Sequence, residues 1–138
     1  MNITLEQAEK AIAVAKKASQ ERDELTALAV VDTGGNLIAF ARMDGAYIMS
    51  IDTALGKAYT ALALNIDTID LNSYIQPGQV LFGAGLTLQQ SRSLVPYAGG
   101  VLLRCKGEVI GALGVSGART AQADHEIALP ALTELEQS

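Results

Sequence analysis

Arg42, Asp44 and Gly45 are the first residues in the chain whose types and spacing could support chemistry. They stand where an apolar run ends and an apolar helical pattern begins. Backbone N–H groups at a helix start are unpaired and carry partial positive charge, so they favour an anion. An arginine beside them can hold a carboxylate through two parallel hydrogen bonds. This corner therefore predicts a small-acid site, in which Asp44 handles a proton or positions a water.

The same corner also has a purely structural interpretation. Asp44 is a good N-cap for the following helix and could pair with Arg42. Lys57 lies three turns along that helix, where it could face a neighbouring site or subunit. Spacing alone favours this structural interpretation over the small-acid site.

A second group near the C-terminus is Gly114-Val115-Ser116-Gly117, followed by Arg119. Glycines at a strand end let a ligand approach the backbone. Ser116 and nearby N–H groups would stabilise developing negative charge, and Arg119 would hold an anion. Alternatively, the glycines only relieve crowding where strand meets helix. Gly99-Gly100 is similarly either a plain turn or a source of N–H donors.

The single histidine and the single cysteine carry less weight. One imidazole makes no metal site, so we predict none and interpret His125 as facing solvent. Asp124, next to it, is a second candidate for moving a proton. Cys105 lies in an apolar strand and cannot form an internal disulfide, so we expect it to be inert.

The elements that must position these groups form an α+β domain with an antiparallel sheet. A capping box at Thr4 and Gln7 opens the first helix, and two apolar runs around a Gly-Gly turn are typical of a hairpin. Thr120 or Asp124 opens the last helix, and Pro130 should kink or divide it. The predicted order is helix 4–21, strands 25–31 and 37–42, helix 47–64, short helix 67–74, loop 79–100, strands 101–105 and 109–116, and a C-terminal helix. Both hairpins should end near one site.

Length and composition narrow the class of protein. A chain of 138 residues with 49% hydrophobic residues fits one domain, 1–138, with a real core. A net charge of −5 disfavours nucleic acid and anionic membrane surfaces as partners. No apolar run is long enough to span a bilayer, and the polar N-terminus lacks a signal-peptide pattern. We therefore expect a cytoplasmic protein.

The chain resembles the GlcG/HbpS-like family, which includes the C-terminal domain of PduO-type proteins. The resemblance covers nearly the whole chain and rests on LAVVDTGGNLIAFARMDGA, on the Lys57 region of the second long helix, and on Gly107 to Gly117. It implies a profilin-like domain with a five-stranded antiparallel sheet flanked by helices. It also implies homo-oligomers, commonly dimers that assemble further to octamers. The recurring family positions matched here are Arg42, Asp44, Lys57, Gly100, Ser116, Gly117 and Asp124.

Some members of that family bind haem, and others accompany the breakdown of small organic acids, diols or aromatic compounds. The first helix here has no histidine, so an axial haem ligand would have to be His125, Met43 or Tyr47. The function expected first is binding or conversion of a small anionic organic acid, with Arg42, Asp44 and Asp124 as catalytic candidates. The ligand contacts would be Arg42, Gly45, Lys57, Gly100, Ser116, Gly117 and Arg119.

Two other functions stay open at this stage. The chain could be a haem- or tetrapyrrole-binding accessory or sensor protein, so haem is a possible cofactor. It could also be an assembly component without a ligand, joined through the alanine face of the second long helix. The residues do not decide between an enzyme and a binding domain.

Overall fold

The computed structural model describes residues 1–83 and 94–136. The elements in chain order are α1 Leu5–Glu21, β1 Ala27–Asp32, β2 Leu37–Arg42, α2 Met49–Leu64, a 3₁₀-helix Thr68–Tyr74, β3 Gly100–Cys105, β4 Glu108–Ser116 and α3 Ala121–Glu136. The predicted loop 79–100 lies partly outside the described residues, including its polar stretch 89–93.

The strands form one antiparallel sheet in the order β2-β1-β4-β3. The α+β class, the antiparallel sheet and both hairpins are therefore confirmed. The predicted fifth strand is wrong for the described residues, which contribute four. After α2 the chain forms a 3₁₀-helix and turns up to residue 83, and this part adds no strand.

The ends of the two hairpins lie at the same edge of the sheet. Ala27 at the start of β1 pairs with Arg42 at the end of β2 and with Ser116 at the end of β4. Neighbouring strands are about 4.8 Å apart, so the Cα atoms of Arg42 and Ser116 are separated by roughly 10 Å. The expectation that both hairpins end near one place is confirmed.

The sheet face that packs against α2 carries several small residues beside Val31 and Leu102, whereas the opposite face carries mainly larger ones. Ala27, Ala29 and Ala112 face α2, whose Ala54 and Ala58 are completely buried against them. A Cβ on Gly114 would lie 1.9 Å from the carbonyl oxygen of Ala54, so this position requires glycine. The alanine face of α2 thus packs inside the chain, where Ala54, Ala58 and Ala61 are fully buried and not exposed for a subunit contact.

On the opposite face, α1 and α3 cover a core of Leu, Val and Ile side chains. The capping box at Thr4 and Gln7 is present, as predicted. Thr120 opens α3, since its hydroxyl accepts a hydrogen bond from the N–H of Ala123 at 3.0 Å. Pro130 lies inside α3, which continues to Glu136, so of the two expected outcomes the division into two short helices is wrong.

Candidate functional site

Two adjoining clefts lie at the sheet edge where β4 ends and α2 begins. The first, of about 350 Å³, is lined by residues including Glu24, Gly45 and Arg119. The second, of about 370 Å³, is lined by residues including Met49, Thr53, Ser116 and Asp124. Both clefts share Tyr47, Gly117 and Ala118 as walls. They therefore form one groove, with a guanidinium group at one end and hydroxyl groups at the other.

Lys57 and Asp124 form an ion pair beneath this groove. The Nζ of Lys57 lies 2.9 Å from Oδ2 of Asp124 and also donates to the carbonyl of Val115 at 3.1 Å. Oδ1 of Asp124 accepts from the backbone N–H of Ala118 at 2.9 Å. One buried pair thus connects α2, the end of β4 and the start of α3.

Burial dominates the protonation of Asp124. It raises the pKa of this carboxyl above its ordinary value of 3.8, although Lys57 and the N–H of Ala118 act in the opposite direction. Both carboxyl oxygens already have partners within the protein. Asp124 is therefore better placed to hold the 116–118 backbone than to exchange a proton with a ligand.

Arg119 lies at the first cleft with 78% of its side chain exposed. Its Nε is 3.8 Å from Oε1 of Glu24, and its backbone N–H donates to Oε2 of Glu24 at 3.2 Å. The N–H groups of Ala118 and Arg119 are thus both taken by carboxylates. An anion in this groove would be held by the Arg119 guanidinium rather than by those two N–H groups.

Ser116 contributes a hydroxyl to the second cleft and contacts a residue that the sequence interpretation missed. Its Oγ lies 2.5 Å from Oγ1 of Thr53 in α2. Thr53 belongs to a polar stripe on α2 that consists of Ser50, Thr53, Lys57 and Thr60. This spacing places all four on one helix face, and it was the signal available in the sequence.

The Arg42 corner has a different role from the one its residue types suggested. Arg42 donates from Nη1 to the carbonyl of Ala46 at 3.1 Å and lines neither cleft. Asp44 is exposed and forms no ion pair with Arg42 within the described structure. Gly45, at φ +86°, does line the first cleft. Of this corner, the groove therefore receives Gly45 but not the two charged side chains.

Asp44 does not cap the following helix, so that structural alternative is also wrong. α2 begins at Met49, and its N-cap is Ile48 with helical backbone angles and no side-chain cap. The turn at Gly45 and the residues after it delay the helix by one turn. Sequence spacing placed the helix start at Tyr47, which is instead an exposed wall of both clefts.

Gly100 lies in the interior, away from the groove. A Cβ there would be 2.3 Å from the carbonyl oxygen of Lys57, and its N–H donates to Thr68 at 2.8 Å. Gly99 gives room to the ion pair, since a Cβ would lie 2.9 Å from Nζ of Lys57. Both glycines allow close packing around Lys57, and the N–H of Gly100 is not available to a ligand.

The three candidates for an axial haem ligand lie in different places. His125 is half-buried rather than solvent-facing, and its Nδ1 is buried without a partner among the described residues. It lines neither cleft. The Met43 sulfur lies 3.5 Å from both the N–H and the hydroxyl of Thr26. Tyr47 alone of the three stands in the groove, beside Met49, and a phenolate or a thioether can each ligate haem iron.

Two further observations concern only the described residues. No cluster of three or more His, Cys, Asp or Glu side chains is suited to a metal ion there. None of the helices in that part of the chain has the length and apolar character needed to cross a membrane.

The fold and the groove define a small α+β domain with a polar cleft at one sheet edge. Residues 3–133 match a family model described as haem degrading protein HbpS-like. The chain therefore belongs to the HbpS-like family. The resemblance to GlcG/HbpS-like proteins that its sequence blocks indicated is confirmed.

Individual relatives agree with this assignment. A 15.0 kDa protein of the dhaT-dhaS intergenic region of Citrobacter freundii is 40% identical, covering 94% of this chain and 89% of the relative. The crystal structure of a PduOC–haem complex superposes with a TM-score of 0.87 at 29% identity, covering 96% of this chain and 94% of that one. A double mutant of HbpS from Streptomyces reticuli gives a TM-score of 0.83 at 31% identity, covering 98% and 88%.

Proposed function

We propose that this chain binds a small organic acid in the groove between the end of β4 and the start of α2. The observation that carries the proposal is the joining of the two clefts at Tyr47, Gly117 and Ala118. One continuous groove then offers an exposed guanidinium, a hydroxyl pair and apolar side chains. Cleft volumes of about 350 and 370 Å³ are at the low end of the range for ligand pockets, which suits a small molecule.

Each residue of the groove has a distinct role in binding the ligand. Arg119 holds the carboxylate, because its guanidinium is exposed at the first cleft and can donate two hydrogen bonds. Ser116 meets the other polar group of the ligand, and Gly117 lets the ligand approach the backbone. Lys57 and Asp124 are positioning residues that fix the 116–118 backbone from below.

The Arg42 corner shapes the groove from the side. Its hydrogen bond to Ala46 closes the turn that brings Gly45 to the first cleft. Arg42 is therefore a positioning residue in this proposal. Asp44, exposed in the same turn, lines neither cleft and has no role in this proposal.

Haem binding is the second candidate, favoured by the solved haem complex of PduOC, which shares this fold. Tyr47 and Met49 are the groove side chains that would ligate the iron, and both are about three-quarters exposed, at 75% and 74%. Bound haem would supply redox chemistry at its iron. The small cleft volumes, and the fact that His125 lines neither cleft, make this candidate second.

A parallel screen separates the two candidates. The purified protein is heated with haem and with a panel of small mono- and dicarboxylic acids, and absorption spectra are recorded. A ligand that binds only the folded state raises the melting temperature. A rise with one or more acids and no Soret band supports the acid site. A Soret band that disappears in Tyr47→Phe or Met49→Leu, with no response to acids, supports haem instead.

The homo-oligomer implied by the family resemblance remains part of the proposal, as does the cytoplasmic location. Tyr47, Ile48 and Met49 are consecutive large apolar residues, each more than 70% exposed in the single chain. Exposed apolar patches commonly mark association surfaces. Sedimentation velocity of the wild type and of Ile48→Lys tests this, with a smaller species expected for the variant.

A further inference from the structure

The hydroxyl groups of Thr53 and Ser116 meet at the wall of the second cleft. Their oxygens are 2.5 Å apart, and Ser116 is 8% exposed while lining that cleft. Thr53 also lies 3.1 Å from the carbonyl oxygen of Met49, one turn earlier in α2. These contacts form a short chain of three oxygen atoms that ends on a backbone acceptor.

Both contacts can be hydrogen bonds at the same time in one direction only. A hydroxyl has one proton to donate, and a carbonyl oxygen can only accept. Thr53 therefore uses its proton on the Met49 carbonyl, in the i to i−4 pattern common for threonine in helices. The oxygen of Thr53 then accepts the proton of Ser116. Both hydroxyl protons are spent within the protein.

In that arrangement Ser116 Oγ presents only its lone pairs to the cleft it lines. It can accept a hydrogen bond from a ligand, but it has no proton to offer a ligand oxygen. The prediction that Ser116 stabilises developing negative charge requires its hydroxyl to donate a proton to the ligand, which this arrangement does not allow.

We infer that the groove selects a hydroxy acid over the oxo acid of the same carbon skeleton. This inference rests on the proposed function, in which Arg119 takes the carboxylate. Ser116 and Arg119 are three residues apart, at most about 11 Å of extended backbone, and each lines one of the two joined clefts. A ligand hydroxyl can donate a hydrogen bond to Ser116 Oγ. A ligand carbonyl oxygen cannot, because it and Ser116 Oγ would both be acceptors.

Matched pairs of acids test the selectivity. Calorimetric titration with lactate against pyruvate, and with 3-hydroxybutyrate against acetoacetate, compares a donor with an acceptor at one carbon atom. For the wild type we expect the hydroxy acid of at least one pair to bind roughly tenfold more tightly, in keeping with one hydrogen bond. Equal binding of both members of each pair, or tighter binding of the oxo acids, would overturn the inference.

Variants of Thr53 change the proton direction without touching Ser116. Thr53→Val keeps the shape but removes the acceptor, so the Ser116 proton becomes free for the ligand and the preference should vanish or reverse. Thr53→Ser is the matched control and should keep the preference. Ser116→Ala should bind both members of a pair alike. Melting curves establish that each variant is folded, and a Thr53→Val protein with the wild-type preference contradicts the inference.

Neutron diffraction of the deuterated protein provides a test without any ligand. The deuterium of Ser116 is expected to point at Thr53, and that of Thr53 at the Met49 carbonyl. A Ser116 deuterium pointing into the cleft would overturn the inference even if acids bind. If neither type of acid binds the wild type, the proposed function fails and the selectivity falls with it, while the neutron map still decides the proton direction.

Discussion

Lys57 and Asp124 meet at 2.9 Å with only 6% and 5% of their side-chain areas exposed. They come from α2 and from the first turn of α3, and their remaining hydrogen bonds go to Val115 and Ala118. The pair therefore fixes the backbone that forms the floor of the groove. Its removal should affect both the stability of the fold and the shape of the proposed site.

Lys57→Met should destabilise the protein by roughly 3–5 kcal/mol at neutral pH, because Asp124 is left buried without a counter-charge. Urea unfolding measures the change. The double variant Lys57→Met with Asp124→Asn has no buried charge and should recover to within about 1 kcal/mol of the wild type. Arg22→Met is the control, since its pair with Glu126 is open to solvent and its loss should change the free energy of unfolding far less. A double variant no more stable than Lys57→Met would contradict this account.

The pH dependence of stability should show the raised pKa of Asp124. Its folded pKa lies above the ordinary value of 3.8, so in that window the folded state binds more protons than the unfolded state. The free energy of unfolding contributed by this group is therefore fully present below 3.8 and decreases as pH rises through the folded pKa. The unfolding free energy of the wild type minus that of Asp124→Asn should fall over this range. A difference that rises with pH would mean that the attraction of Lys57 outweighs burial.

Gly114→Ala tests the close approach of α2 to the sheet. The added Cβ would lie 1.9 Å from a backbone oxygen of Ala54, which cannot move without shifting the helix. We expect a loss of about 1–3 kcal/mol or more in the free energy of unfolding. Gly34→Ala is the control, because its nearest atom is the end of the flexible Asn36 side chain. Equal effects of the two substitutions would show that α2 does not approach β4 as closely as described.

Local patterns predicted most of the fold, because each depends on neighbours in the chain. The capping box at Thr4, the β2 strand over Leu37–Arg42 and the end of α2 at Leu64 agree with the structure. The start of α2 did not follow its cap residue. Asp44 has the right side chain, but the left-handed turn at Gly45 delays the helix to Met49.

The site was predicted less completely, because its contacts join distant parts of the chain. The sequence singled out Lys57 and Asp124 separately, but nothing in their spacing showed that they pair across 67 residues. Glu24 was missed since its role depends on Arg119, which lies 95 residues away. Thr53 was missed although the polar stripe on α2 was visible in the sequence. The interpretation of α2 considered its alanine residues and not this stripe.

Replacing Arg119 and replacing Arg42 should affect acid binding to different extents. Arg119→Met should weaken the binding of a carboxylic acid by roughly ten- to a hundredfold, since a hydrogen bond to a charged group contributes about 1.5–3 kcal/mol. Arg42→Met should have a smaller effect, because its guanidinium donates to Ala46 and lines neither cleft. Calorimetric titration of the tightest acid from the screen measures both. Arg119→Met should also reduce the dependence of binding on salt, because the lost contact is electrostatic. If Arg42→Met abolishes binding while Arg119→Met binds normally, the carboxylate sits at the Arg42 corner and the groove assignment is wrong.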